Sequence, residues 1–171
     1  GGGVALRLAT MYPRLVARLC VINSVCYDSW PIEAMSELGN PETARNLSAS
    51  AAGALLRQGL KKGFATPPEE GLLDALLAPY STEVGKVSLI RNAAALDTNH
   101  TTELTPLLTG IQAPTLILWG EDDPFQPVKY GERLATDIPK ARLIRIQDAR
   151  HFVMLDQSEE LERRLFEFLE S

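Results

Sequence analysis

Apolar residues recur along this chain with two periods, and the switches between them mark its organisation. Val4, Leu8, Met11 and Tyr12 fall at helical spacing behind Gly1-Gly2-Gly3, with no breaker before Pro13. The pattern predicts a helix that begins at or just before Gly3. Val16 to Asn23 is short, apolar and partly β-branched, with Pro13-Arg14 before it and the turn residues of Ser24 to Pro31 after it, which predicts a strand. A run that is apolar on both faces belongs in a parallel sheet. Pro114 to Trp119 and Ala141 to Ile146 have the same character. From Trp30 to Thr109 the period becomes helical, with amphipathic stretches at Ile32 to Leu38, Pro41 to Lys62, Pro68 to Leu77 and Thr82 to Leu96. Gly-, Pro- and Asn-rich breaks separate them, and no strand pattern intervenes. Pro127 to Thr136 reads as a helix, and Asp156 to Glu170 as a closing amphipathic helix with Leu161, Leu165, Phe168 and Leu169 on one face. Asp156 followed three residues later by Glu159 has the spacing of a capping box with Asp in the cap position.

The order is therefore helix, strand, helical block, strand, helix, strand, helix. Alternation of this kind predicts an α/β fold with parallel strands and flanking helices. A block of about 80 residues between two strands is far longer than a plain crossover needs and reads as an inserted helical lid. Three regions follow: a core helix and strand over 1–29, a helical lid over 30–109, and the rest of the core over 110–171.

Composition narrows the partners. The 171 residues, 45% hydrophobic and 23% charged, suffice for one sizeable core. A net charge of -5 with scattered Lys and Arg carries no basic stripe, so nucleic acid is not an expected partner. Apolar runs such as Leu19 to Ile22 are far short of the roughly 20 residues that span a bilayer, and no membrane contact is expected. A cytoplasmic location is the default expectation. Cys20 and Cys26, six apart, make neither a disulfide framework nor a metal-ligand spacing and read as inert thiols; no metal or other cofactor is implied.

The chemistry-bearing residues cluster just past two strand ends. Leu118-Trp119 runs into Gly120-Glu121-Asp122-Asp123-Pro124, and Ile146 is followed by Asp148-Ala149-Arg150-His151. In open α/β sheets that edge is where ligands and catalytic groups collect. An Asp that orients a His is two thirds of a hydrolytic triad. Asp123 is favoured over Asp122 by its offset from Gly120 and by Pro124 behind it. His100, within Asp97-Thr98-Asn99-His100-Thr101, competes with His151 but lies at the end of the helical block, where a polar loop or pocket-lining role fits better. No Gly-x-Ser-x-Gly occurs in the chain, and Ser24 lacks the flanking glycines of a sharp nucleophile turn, so it reads as a turn or cap residue. Phe125 and Phe152 follow the acid and the base and are candidate pocket residues, as is Trp30 at the entry to the helical block. Tyr27 and Trp119 read as packing residues.

These segments resemble the C-terminal half of an α/β-hydrolase. Ala9 to Ile22 is similar to the helix and sixth strand after the family's nucleophile elbow. Leu118 to Pro124 resembles the seventh strand and acid loop, Asp148 to Phe152 the histidine loop, and Leu165 to Leu169 the closing helix. The resemblance implies a partial α/β-hydrolase fold with Asp123 as acid and His151 as base, acting without a cofactor on a small-molecule substrate of ester-like or related chemistry. Gly1 would be the last glycine of the elbow, which places the nucleophile upstream of residue 1 and leaves the chain alone inactive. A Ser there implies ester or carbon–carbon hydrolysis, an Asp epoxide or haloalkane chemistry, and an elbow lacking Ser, Asp or Cys a ligand-binding protein without turnover. Arg150 stands where the family most often has a small residue, and Ser158 where it often has proline.

The resemblance also implies that Val16 to Asn23 normally pairs with a strand outside this chain. An apolar strand edge without its partner recruits other chains. We expect the isolated chain to self-associate, or to accept a complementing N-terminal chain; a sharp monomer peak in size-exclusion chromatography would contradict this.

Overall fold

Helix α1 forms where the glycine-led pattern puts it, over Gly2–Met11, in a computed structural model that describes residues 1–69 and 71–171. Pro13 ends it, and a 3-10 turn at Pro13–Leu15 leads to strand β1, Leu19–Ile22. The strand is shorter than Val16 to Asn23. Val16 N donates to Pro13 O (3.4 Å) and so belongs to the turn, while Asn23 bends into a left-handed conformation (φ 42).

Between β1 and the next strand the described residues form helices α2 (Glu33–Leu38), α3 (Pro41–Asn46), α4 (Ala49–Lys62), α5 (Leu72–Leu77), α6 (Glu83–Ala94) and α7 (Asn99–Thr102), with 3-10 turns at Ala78–Tyr80 and Thr105–Gly110. The stretch Pro41 to Lys62 is thus two helices, not one. Ser48 explains the break: its hydroxyl accepts from Ala51 N (3.1 Å), starting α4 afresh while Leu47 stays extended. Leu38, Leu89 and Ala93 are the centre of a separate apolar cluster with Met35, Leu47, Leu56, Tyr80 and Ile90, so this segment has a core of its own.

Strand β2 (Thr115–Gly120) pairs in parallel with β1, Leu19 opposite Thr115, and with β3 (Ala141–Ile146), Thr115 opposite Ala141. The order β1-β2-β3 makes β2 central, and it is buried at every position. Alternation divides the side chains between two faces. Leu19, Val21, Ile117 and Trp119 pack with Leu6 and Ala9 of α1, Leu108 and Ile111, and Leu134 of helix α8 (Lys129–Asp137). Leu116, Leu118 and Ile146 face the other way, onto Val153 of α9 (Val153–Asp156) and Phe168 and Leu161 of α10 (Ser158–Glu170). Helices on both faces of a parallel sheet make the doubly wound arrangement that the alternation predicts. β1 is an outer strand, with β2 as its only partner among the described residues.

The closing helix departs from its pattern. It is broken at Gln157 (φ -138, ψ 57), and Asp156 does not cap α10. The Asp156 carboxylate accepts instead from Arg150 N (2.9 Å) and Ala65 N (3.0 Å), two donors outside any helix that outcompete the cap. Ser158 opens α10, with Glu159 and Glu160 in its first turn opposite the positive end of the helix dipole. Phe168 is buried, whereas Leu169, predicted on the same face, is exposed. Among the described residues no helix is long and apolar enough to cross a membrane.

Both cysteines are free; burial pushes the Cys20 thiol up to about 11 and the Cys26 thiol up to about 12. The thiolate is the reactive form, and raised values leave almost none of it at pH 8. Ellman's reagent at pH 8 is therefore expected to label neither cysteine of the folded chain within minutes and both in denaturant, and rapid labelling of the native chain would contradict this.

Candidate active site

Parallel pairing brings the C-terminal ends of β1, β2 and β3 to one edge, and the acid and base candidates both stand there. The loop after β2 turns back on itself: Asp123 N donates to Gly120 O (3.3 Å), and the buried Trp119 indole Nε1 donates to Gln126 O (2.7 Å). Asp123 is enclosed by this turn. Its Oδ1 accepts from Phe125 N (2.8 Å) and Gln126 N (3.0 Å), and its Oδ2 lies 2.9 Å from Nδ1 of His151. The carboxylate has no exposed surface, and the His151 side chain is 30% exposed. A ring held in this way donates Nδ1–H to the carboxylate and keeps the lone pair of Nε2 free to take a proton.

The two loops are joined through the backbone as well. Asp122 N donates to Ala149 O (3.2 Å) and Glu121 N to Ile146 O (3.1 Å). Gly120 is the residue that permits this approach: a Cβ there would lie 2.3 Å from Arg150 O and 2.7 Å from Ala149 O. Asp122 itself is exposed, so its side chain plays no part in the contact.

Phe125 and Phe152 flank the imidazole edge-on, with ring centroids 5.2 and 5.4 Å away, and Phe64 packs on Phe152 at 4.4 Å. Trp30 is half-buried at the start of the helical segment and makes no such contact with His151 among the described residues. His100 sits on α7, where its carbonyl accepts from Arg7 Nη2 (2.8 Å). Ser24 is buried against Gly2 and donates to Val25 O (3.0 Å), a turn contact. Tyr27 is core: its hydroxyl donates to Asp137 Oδ2 (2.8 Å), and burial followed by that bond pushes its ionisation far up. Trp119 is core as well. An open groove of about 660 Å³ along α6, lined by Val84, Val87 and Arg91, contains neither Asp123 nor His151. Among the described residues no three His, Cys, Asp or Glu side chains are grouped to hold a metal ion.

Sequence reasoning missed two groups. The end of α4 is strapped to the histidine loop: Phe152 N donates to Gly63 O (3.0 Å), Arg150 Nη1 donates to Lys62 O (3.3 Å) and Phe64 O (3.4 Å), and Asp156 bridges Ala65 N and Arg150 N. Arg150 thus serves the helical segment. The second is Asn23, whose amide bonds to Gly120 N, Arg150 O and His151 O. Its place at a strand's C-terminal end, the same criterion that singled out Asp123 and His151, was the available signal.

The profile of the alpha/beta hydrolase fold matches residues 1–158, and the chain belongs to that family. An alpha/beta hydrolase fold protein from Burkholderia ambifaria superposes with a TM-score of 0.89 at 26% identity, covering 98% of this chain and 62% of that one. The pimeloyl-[acyl-carrier protein] methyl ester esterase of Neisseria meningitidis is 27% identical over 99% of this chain and 66% of its own length. A 2-hydroxy-6-oxononadienedioate/2-hydroxy-6-oxononatrienedioate hydrolase of Pseudomonas putida is 38% identical over 63 residues, 37% of this chain and 22% of its own. The chain therefore spans about two thirds or less of each of these relatives.

Gly120→Ala tests the close approach of the two loops. Forcing a methyl group against the Arg150 and Ala149 carbonyls is expected to destabilise the chain by about 2 kcal/mol, seen as a lower urea midpoint at unchanged slope. An unshifted midpoint would show that the loops do not need this contact.

Proposed function

We propose that Asp123 and His151 are the acid and the base of a nucleophile–His–acid hydrolase acting on small ester-like or related substrates. The observation that carries this is the 2.9 Å contact between His151 Nδ1 and a carboxylate whose other oxygen is already held by two backbone donors. Such a carboxylate orients the ring and stabilises the imidazolium that forms as Nε2 takes the nucleophile's proton. The ring then returns that proton to the leaving group, and afterwards activates the water that releases the covalent intermediate. The family membership and the esterase and carbon–carbon hydrolase among the relatives support the reaction class.

In this reading residues 30–109 form a lid over the cleft, anchored by the Lys62 to Ala65 strap, and Phe125 and Phe152 line the apolar wall beside the base. The nucleophile and the oxyanion donors come from a segment outside these 171 residues, which pairs with the free edge of β1. The chain alone is then inactive. The esterase relative, similar over nearly the whole chain, favours an ester over a carbon–carbon bond as the substrate.

The test is hydrolysis of short p-nitrophenyl esters by the chain joined to the segment that precedes it in its gene. The complete protein is expected to turn over, with kcat reduced about three to five orders of magnitude by His151→Ala or Asp123→Asn. Activity that survives His151→Ala would remove the base assignment, and turnover by the 171 residues alone would place the nucleophile within them.

A further inference from the structure

Where β1 ends, Asn23 replaces a piece of sheet with its side chain. Its backbone N still donates to Leu118 O (3.1 Å), as the ladder to β2 requires. In a parallel ladder the next donor, Gly120 N, would bond to the carbonyl of Asn23. At φ 42 the chain has turned away, and Gly120 N donates instead to the Asn23 side-chain Oδ1 (2.8 Å). Nδ2 of the same amide donates to Arg150 O (2.7 Å) and His151 O (3.0 Å). Asn23 is only 5% exposed, and one planar group thus joins the ends of β1 and β2 and the histidine loop.

A left-handed backbone alone does not account for this residue, since glycine meets that demand without strain. Asp would offer the acceptor to Gly120 but would set a second oxygen against two carbonyls. The partners also fix the orientation of the amide, because the flipped form pairs oxygen with oxygen and nitrogen with a donor. The bonds fall on the two segments that the candidate site depends on. Gly120 begins the turn that carries Asp123, and the His151 carbonyl belongs to the residue that bears the imidazole. Moreover, Arg150 O, held by Asn23, is the atom for which Gly120 leaves room.

We propose that Asn23 is a positioning residue that fixes the acid loop and the histidine loop in the register at which Asp123 and His151 meet. The proposal rests on the roles given above to that pair. Asn23 touches no reacting atom; it acts through the carbonyl of the base and the strand end before the acid.

The 171-residue chain, labelled with ¹⁵N in its histidines, tests this by NMR. In the unsubstituted chain the His151 ring is expected as the Nδ1–H tautomer with a downfield, slowly exchanging ring proton. Asn23→Asp and Asn23→Gly, shown folded by circular dichroism, are expected to lose that proton signal and to give a mixture of tautomers. An unchanged His151 ring signal in either folded variant overturns the proposal. If both unfold, scalar couplings across the hydrogen bonds from Asn23 Nδ2 to the Arg150 and His151 carbonyl carbons decide, and their absence from the uniformly labelled unsubstituted chain overturns it. In the complete protein, Asn23→Asp is expected to lower kcat about 100-fold with KM within twofold; an unaltered kcat overturns the proposal. A complete protein without esterase activity counts against the hydrolase reading, and the ring signal of the 171-residue chain still decides the role of Asn23.

Discussion

A carboxylate without solvent must be met by donors from the protein, and that requirement organises the edge of this sheet. The Asp123 side chain has no exposed surface, and its three partners leave little freedom in either loop. Two are consecutive backbone N–H groups of its own turn, which fix the carboxylate with respect to β2. The third is the imidazole of a loop 28 residues away in sequence. A buried acid with two local donors can orient a distant base only if the distant loop is itself rigid. The hydrogen bonds of Asn23, Asp122 and Asp156 to the histidine loop supply that rigidity.

The parallel sheet makes the arrangement possible. Three strands of like direction end at one edge, and the central strand is buried along its whole length. Each strand end then contributes one polar group: Asn23 after β1, Asp123 after β2 and His151 after β3. Packing beneath them is apolar on both faces, so the polar contacts are confined to the edge, where the ring keeps partial access to water.

The helical segment between β1 and β2 is more than an appendage to this edge. It has an apolar cluster of its own, yet Lys62 to Ala65 is bonded to the histidine loop through backbone, guanidinium and carboxylate groups. Gly63 brings the chain against the rings of Phe152 and Phe125. A displacement of α4 would thus be felt at the residue next to His151, giving the segment a physical route to the candidate base.

Local pattern decided much of this. The positions of α1, β2, β3 and α8 follow from apolar periodicity and breakers, and the acid and base candidates from their places just past strand ends, because these are properties of short stretches. The boundaries that pattern missed were set by individual polar groups, one meeting a donor in its own turn and one meeting donors from other segments. Ser48 divided a continuous amphipathic run because its hydroxyl met a nearby N–H; Asp156 abandoned the cap of α10 because Arg150 and Ala65 presented donors from elsewhere. By its pattern Asn23 was only the last residue of a predicted strand. Its importance comes from Gly120 and from Arg150 and His151, residues brought within 3.0 Å of its amide only when three strands align. Periodicity encodes which face a residue shows, and so the sequence alone determined the layers; which polar group meets which depends on distances between segments, and only the assembled sheet decided those.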